Sequence, residues 1–426
     1  MLKVQYEPRG EALHFALDTP IAPACADHPE LRPLLGSWQD GNGAKVLRDG
    51  RGAITGLTMG LAGWRRLIRR LLPPREAEFQ RAVLDRLLGS LEPPQGPGLQ
   101  VNFHQKSFDT AERYWSFLLA QGHFPAHFFN RINWYLAPAN RIVTPFPLHV
   151  DLESASTCNM DCPMCYRRGL KHTGHMDLEL FRRAVDECAA EGVFSLRLSW
   201  RGETLTHPRI QEMIAYAAAR VPNVSFLTNA FYLDDEVIDC LVESRVSYVA
   251  VSFDGYGETY ERIRKPARFA DSYRRLERLL ERRRQAGSRL PQVRLCTIWP
   301  AIKDDPGGYY RTMSRVSDYI VVNPYINFQG PMTVKPDFIC QYPWERLVVG
   351  YDGQTQCCTG WNAEDIVLGD AARQSLKEMW HSPRLEAVRA LHAAGRRLEL
   401  GSCAACRHGS QGDPDITIDE ILARRH

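Results

Sequence analysis

The sequence predicts an α/β protein built around a partial (β/α)6 barrel, and three observations predict it. From about Leu148 onward, six short apolar strands alternate with amphipathic helices of ten or more residues, the pattern of a parallel sheet assembled from βαβ units. Four polar or cysteine-bearing motifs fall directly after four of those strands, on the rim where such sheets carry their sites. The cysteines also gather in two groups far apart in sequence. The expected division is a helix-rich N-terminal domain of unknown role at 1–145, the barrel at 146–335, a small cysteine-bearing domain at 336–410 and a tail at 411–426.

In chain order, "PRGEALHFALDTPIAP" is compatible with a strand pair. "GWRRLIRRLLPP" is a short basic amphipathic helix with Trp64, Leu67, Ile68, Leu71 and Leu72 on one side, more in keeping with a domain core than with a membrane surface. "REAEFQRAVLDRLLGSLEPP" reads as a helix closed by Pro93 and Pro94, and no strand-rich peptide-binding pattern stands out. The barrel strands follow: "LHVDLESA", "FSLRLSW", "VSFLTNA", "SYVAVSFDG", "QVRLCTIWP" and "YIVVNPYINF". Between them lie the helices "MDLELFRRAVDECAAEG", "IQEMIAYAAAR", "DDEVIDCLVES" and "SYRRLERLLERRRQAG".

Bulk properties exclude several classes. Among 426 residues, 53 basic and 50 acidic side chains leave a formal charge of +3, too balanced for a nucleic-acid partner. No window reaches the 18 apolar residues of a membrane span, and "MLKVQYEPRG" lacks the apolar stretch of a secretion signal. The expectation is a soluble cytoplasmic protein without a membrane partner. That compartment keeps thiols reduced, so twelve cysteines call for something other than disulfides.

"STCNMDCPMCYR" places Cys158, Cys162 and Cys165 at the end of the first barrel strand. A structural zinc ion takes four closed ligands, and this trio would need His172 or His175 to complete one. A [4Fe–4S] cluster is held by four thiolates. Three thiolates leave one iron open to a further ligand.

CxxxCxxC followed by an aromatic residue, at the end of the first strand of a partial barrel, resembles the radical S-adenosylmethionine superfamily over roughly Leu148 to Cys406. The resemblance implies a [4Fe–4S] cluster on Cys158, Cys162 and Cys165 whose open iron chelates S-adenosylmethionine. Reductive cleavage then gives a 5′-deoxyadenosyl radical that abstracts a hydrogen atom. An electron donor such as flavodoxin or ferredoxin is implied as well. "WRGETLTHP" looks like the family's GGEP motif, which points to Gly202 and Glu203 for the methionine amino group, although Arg201 and Thr204 depart from it. "VSFDG" is similar to the fourth-strand motif and offers Ser252. "YERIRKP" offers Arg264 for the methionine carboxylate, Asn229 is placed to reach the ribose, and Tyr166 to shield the cluster. Read without the family, Ser252 ends a strand, Asn229 caps the next helix and Arg264 is a surface helix charge.

"CQYPWERLVVGYDGQTQCCTGW" and the later "CAAC" resemble the C-terminal extension of SPASM or twitch proteins. Cys340, one of Cys357 and Cys358, Cys403 and Cys406 supply four thiolates. Spacing from Gly353 favours Cys358, whereas alignment on Trp361 favours Cys357. No cysteine follows Cys406, so the shorter twitch form with one auxiliary [4Fe–4S] cluster is expected. The same thiolates would also suit zinc. A fully ligated cluster suits electron transfer, hence oxidation of a substrate radical, for instance dehydrogenation of an alcohol. Cys296 is the candidate hydrogen donor for the other outcome, epimerisation. Cys188 and Cys240 read as packing residues.

The first substrate reading is a small carbohydrate-like or other secondary metabolite, by family analogy. The second is a ribosomally made peptide. A different class, a non-catalytic iron–sulfur or zinc scaffold, leaves the strand-end motifs without a purpose.

Overall fold

The computed structural model describes residues 2–7, 12–39, 44–89, 105–328, 333–360, 363–409 and 415–423. The N-terminal unit starts with β1 (Leu2–Glu7) and β2 (Ala12–Ile21), continues through α1 (Pro23–Ala26) and α2 (Arg32–Gln39), and returns as β3 (Lys45–Arg48) and β4 (Ile54–Gly60). These strands form one antiparallel sheet ordered β1-β2-β4-β3, with Leu13 opposite Met59 and Phe15 opposite Leu57. The domain is helix-rich, but it also holds a strand-rich sheet that the sequence reading missed, and the expected strand pair is the single strand β2. The β4 segment "ITGLTMG" carries two glycines, which read as strand breakers. At Gly56 the glycine is needed, because a Cβ would come within 2.7 Å of the Phe15 carbonyl oxygen.

Helices α3 (Leu61–Leu71) and α4 (Pro74–Gly89) follow. Trp64, Leu67 and Ile68 of α3 are buried, and Trp64 stacks 5.3 Å from Phe15. Arg65, Arg66, Arg69 and Arg70 face solvent, so the basic helix is part of the domain core with a wet face. Pro93 and Pro94, and the first four residues of the proposed strand pair, lie outside the described residues.

A two-residue strand, β5 (Lys106–Ser107), leads into α5 (Ala111–Ala120) and α6 (Phe124–Ala139). Phe124, Phe128 and Phe129 of α6 join the core around Trp64. Phe117 of α5 packs 5.6 Å from Tyr248 and 5.3 Å from Tyr319, both at the starts of barrel strands. The two helices therefore sit under the N-terminal mouth of the barrel.

The barrel strands are β6 (His149–Leu152), β7 (Ser195–Arg197), β8 (Asn223–Thr228), β9 (Tyr248–Ser252), β10 (Gln292–Ile298) and β11 (Tyr319–Asn323), all parallel. Around them run α7 (Leu178–Ala190), α8 (Ile210–Ala218), α9 (Asp235–Glu243), α10 (Glu258–Ile263), α11 (Phe269–Gln285) and α12 (Pro306–Met313). The six expected strands and four expected helices are all present. The additional α10 and α12 are too short for a periodic signal. Period-two alternation sends Val150, Leu196, Val224, Val249, Leu295 and Ile320 into the core beneath the helices. The intervening residues, among them Asp151, Arg197, Ser225, Tyr248, Arg294 and Tyr319, face the barrel interior.

Beyond β6 the sheet continues into the cysteine-rich region. Strand β12 (Arg346–Val349) pairs in parallel with β6, and β13 (Gln354–Gln356) and β14 (Val367–Asp370) follow antiparallel. With β5 on the far edge, ten strands form one sheet. Helices α13 (Leu376–Trp380), α14 (Pro383–Ala393), α15 (Gly401–Ala404) and α16 (Ile418–Ala423) complete the chain. Trp380 is fully buried and donates to the Thr144 carbonyl at 2.7 Å, tying this region to the segment that enters the barrel. Among the described residues no helix is long and apolar enough to cross a membrane.

Candidate functional site

The cysteine trio occupies the loop after β6, and the loop after β7 is laid directly across it. A Cβ on Gly202 would sit 2.5 Å from the carbonyl oxygens of Ala155 and Thr157, so only glycine allows this approach. Glu203 N donates to Thr157 O at 2.7 Å. Burial raises the thiol pKa of Cys158, Cys162 and Cys165, and each thiol also feels another of the three. His172 and His175 do not join them: His172 is exposed and His175 bonds Thr157 Oγ1 at 3.0 Å.

Each strand-end motif reaches this loop. The buried Glu203 carboxylate accepts from Leu205 N at 3.2 Å, Thr228 Oγ1 at 2.6 Å and Asn229 N at 2.7 Å, which locks the tips of β7 and β8 together. Burial outweighs these bonds and pushes its pKa up to about 7. Asn229 caps no helix, since Asp234 caps α9. Its amide donates to Asn159 Oδ1 at 2.9 Å and lies 4.0 Å from Cys158 Sγ. Arg264 is no surface charge: its guanidinium is ion-paired with Asp254 and places Nη1 3.7 Å from Cys162 Sγ. Ser252 is the last residue of β9, half-buried, with Cys296 opposite it on β10. Tyr166 donates to Trp200 O at 3.3 Å and packs on Phe328 at 5.1 Å. Cys296 is buried at the barrel interior among Ala250, Val321 and Phe117. Cys188 is buried in the helix-side core, and half-buried Cys240 packs against it.

Two partners escaped the reading from sequence. Asp254 was visible within "SFDG" without a role; here it fixes Arg264 and accepts from Ile298 N at 2.9 Å. Arg201, the departure from the glycine pattern, clamps buried Glu153 through Nε at 2.8 Å and Nη2 at 2.6 Å. Glu153 in turn accepts from Tyr351 N at 3.2 Å. The substitution thus joins the rim to the C-terminal region.

The second cysteine group is drawn together from three separate segments. Burial raises the Cys358 thiol well above its usual pKa, with further contributions from Cys357, Cys340 and Cys406. Cys358 Sγ accepts from Gly360 N at 3.2 Å and Gln356 Nε2 at 3.9 Å. Cys357 is fully buried in the core, its pKa pushed up to about 12 by that burial; Trp361 lies outside the described residues. His392, which nothing in the sequence singled out, accepts from Cys340 N at Nδ1, 3.3 Å away, and has Nε2 3.5 Å from Cys403 Sγ. The first contact fixes the tautomer, so Nε2 carries the proton and donates to sulfur. Arg397 donates to Cys403 O and Lys335 O, both at 2.6 Å.

These surroundings suit iron–sulfur clusters. N–H groups aimed at sulfur stabilise thiolates more than thiols, and Cys158, Cys162, Cys358 and Cys403 each have one within 4.0 Å, as Cys165 has the Arg167 amide. Among the described residues no three Cys, His, Asp or Glu side chains converge as tightly as ligands of a single ion. A four-iron cluster spreads its thiolates over separate irons. One link joins the two groups: Trp200, which accepts from Tyr166, donates through Nε1 to Thr359 O at 3.0 Å, next to Cys358.

The family model of the radical SAM superfamily matches residues 152–295, and that of the SPASM iron–sulfur cluster-binding domain matches residues 340–407. Among curated proteins, the antilisterial bacteriocin subtilosin biosynthesis protein AlbA of Bacillus subtilis is 29% identical over 98 residues, 23% of this chain and 22% of that protein. The sporulation killing factor maturation protein SkfB of the same organism is 25% identical over 137 residues, 32% of this chain and 33% of that protein. The alignments thus span a third or less of these relatives' length. The crystal structure of BtrN in complex with AdoMet and 2-DOIA superposes at a TM-score of 0.43 and 16% identity over 65% of this chain and 96% of that one, too loosely to carry weight.

Proposed function

Because the chain belongs to the radical S-adenosylmethionine superfamily and carries a SPASM-type domain, we propose that it removes a hydrogen atom from a substrate carbon inside the barrel. A radical SAM domain binds a [4Fe–4S] cluster with S-adenosylmethionine, and a SPASM domain binds auxiliary iron–sulfur clusters. Bound at the rim, cluster and cofactor supply one-electron cleavage of the sulfonium and abstraction of a substrate hydrogen.

This chain's residues divide the remaining work. Cys158, Cys162 and Cys165 would hold the cluster and leave one iron open. Gly202 lets the loop after β7 lie against the cysteine loop, and Glu203 fixes that loop to β8. Arg264, oriented by Asp254, carries positive charge beside Cys162 and is suited to the methionine carboxylate. Asn229 and Ser252, at the ends of β8 and β9, would contact the cofactor, and Tyr166 would shield the cluster. Cys340, Cys358, Cys403 and Cys406 would hold a single auxiliary cluster. Cys358 is preferred over Cys357 because two N–H groups point at its sulfur. With four protein ligands such a cluster moves electrons rather than binding substrate, which favours oxidation over epimerisation. Cys296, facing the interior across from Ser252, is the hydrogen donor if epimerisation prevails.

The single observation that carries this reading is the convergence of the segments after β7, β8 and β9 on one three-cysteine loop. Anaerobic reconstitution tests it. Wild type should hold about eight irons and a Cys158→Ala/Cys162→Ala/Cys165→Ala variant about four, as expected for two four-iron clusters. With dithionite and S-adenosylmethionine, 5′-deoxyadenosine should form only with wild type. Its formation by the triple variant would refute the assignment.

A small oxygenated metabolite is the first substrate reading. A peptide is the second, favoured by the N-terminal antiparallel sheet. Its edge strand β3 is largely exposed, and an extended chain can pair with such an edge. Two similar proteins are named for bacteriocin biosynthesis and killing-factor maturation.

A further inference from the structure

The lower half of the barrel interior carries more positive than negative charge. Arg197 and Arg294 project inward from β7 and β10, Arg131 approaches from α6 below, and Arg346 enters from β12. Against these four cations stand Asp151 and Glu345. Both carboxylates engage Arg346: Asp151 Oδ2 accepts from its Nη1 at 3.0 Å and Glu345 from its Nε at 2.8 Å. Asp151 also takes His149 Nε2 at 2.9 Å and has Arg197 Nε at 2.7 Å, outside hydrogen-bonding geometry. Burial holds His149 neutral, its pKa lowered to about 4.

Among the described residues Arg131 and Arg294 form no ion pair with a carboxylate: Arg131 feels Glu345 only at longer range, and Arg294 bonds the Cys296 side chain. Arg131 lies over the Trp134 ring at 4.0 Å and Arg294 over Tyr248 at 5.0 Å. The Nε atoms of Arg131, Arg197 and Arg294 are buried without a hydrogen-bond acceptor. A buried N–H without an acceptor is costly unless something answers it. Space exists beside them. Arg197 keeps 31% of its side chain accessible, and Arg131, Tyr248 and Arg294 are only half-buried. Tyr248 stands at the centre. Burial works against ionising its phenol, yet Arg294, a bond with Ser225, Arg131 and Arg197 bring its pKa below the usual value.

We propose that this level of the barrel is a binding site for an oxyanion, a carboxylate or phosphate carried by the substrate, held by Arg294, Arg131 and Arg197. The site deepens the reading above and rests on it only for the anion's owner. Tyr248 lies four residues below Ser252 on β9, about 13 Å at the strand rise of ~3.3 Å per residue. Arg294 lies two residues below Cys296. A substrate anchored there by its anionic end would present a carbon some distance along its length to the rim. Guanidinium forks suit such anchoring better than ammonium groups.

The test uses the reconstituted full chain, titrated with inorganic phosphate or with acetate against sodium chloride at matched ionic strength. Calorimetry should show one saturable oxyanion site, and which anion occupies it separates phosphate from carboxylate. Arg294→Gln and Arg131→Gln should each weaken that binding at least tenfold, yet melt no lower than wild type in chloride. If either glutamine variant does not fold, Arg131→Lys, which keeps the charge and loses the fork, should fold and bind more weakly. Absence of a saturable site, undiminished binding by the folded glutamine variants, or wild-type affinity in Arg131→Lys would each overturn the proposal. Oxyanion binding needs no cofactor cleavage, so failure of the radical reading would leave this result standing, and the converse holds.

Discussion

The two cysteine groups are built on opposite plans. The rim trio comes from eight consecutive residues, Cys158 to Cys165, and its loop is steadied from outside by Gly202 and Glu203 after β7, Asn229 after β8 and Arg264 after β9. The second group joins three segments between Cys340 and Cys406 and is knitted from within by His392, Arg397 and the Gly360 amide. A short loop on a strand tip can leave one face open toward the barrel. Thiols gathered from distant segments enclose whatever they bind. The comparison teaches that an open site takes its rigidity from the sheet around it, whereas a closed site takes it from its own hydrogen bonds.

The sharpest way to break the comparison is to remove one thiol from the adjacent pair. Cys358→Ala should lose about four irons, one cluster's worth, and still cleave S-adenosylmethionine. Cys357→Ala should keep full iron content and lose only packing, about 1 kcal/mol for a small buried deletion, read by thermal melting. Iron loss in the Cys357 variant alone would transfer the ligand role to the other member of the pair. Cys403 does feel Cys357, which makes the experiment decisive rather than confirmatory.

A smaller effect should follow from His392. Its Nε2–H donates to Cys403 Sγ while its Nδ1 accepts from Cys340 N, so one ring ties two candidate ligands that are 63 positions apart in sequence. A hydrogen bond to a cluster thiolate favours the reduced, more negative state. His392→Phe should therefore retain iron and shift the auxiliary cluster to a more negative potential in an EPR-monitored redox titration. Glutamine, which can still donate, should shift it less. An unchanged potential in the phenylalanine variant would remove His392 from the electronics of the site.

Much of this was legible because barrel strands announce themselves twice, through apolar runs and through motifs at fixed ends. Cys158, Glu203, Asn229 and Arg264 were all found in that way. The N-terminal sheet was hidden because β4 carries Gly56 where Phe15 O approaches, so local sequence argued against the strand that tertiary contact requires. His392 and Arg294 were hidden for another reason. Each sits in an ordinary helix or strand, and only the fold brings His392 to Cys403 or sets Arg294 over Tyr248. Arg201 looked like a flaw in a glycine motif, yet its clamp on Glu153 is how this chain joins rim to C-terminal region.

The finest test of the open plan concerns Glu203, whose carboxyl binds β7 to β8. Its folded pKa of about 7 lies above the usual 4.5 because burial disfavours the charge. Its contribution to stability is therefore greatest below pH 4.5 and is lost as pH rises through about 7. Glu203→Gln removes the titration but turns an amide toward one of three donors, Leu205 N, Thr228 Oγ1 or Asn229 N. An unsatisfied buried donor costs about 1–3 kcal/mol. The variant should therefore melt lower than wild type at pH 5.5, and the gap should narrow by pH 8 as wild type loses the stability of its neutral acid. A gap that stays constant from pH 5.5 to pH 8 would mean that the three hydrogen bonds hold Glu203 ionised throughout, and that the rim is fixed by charge rather than despite it.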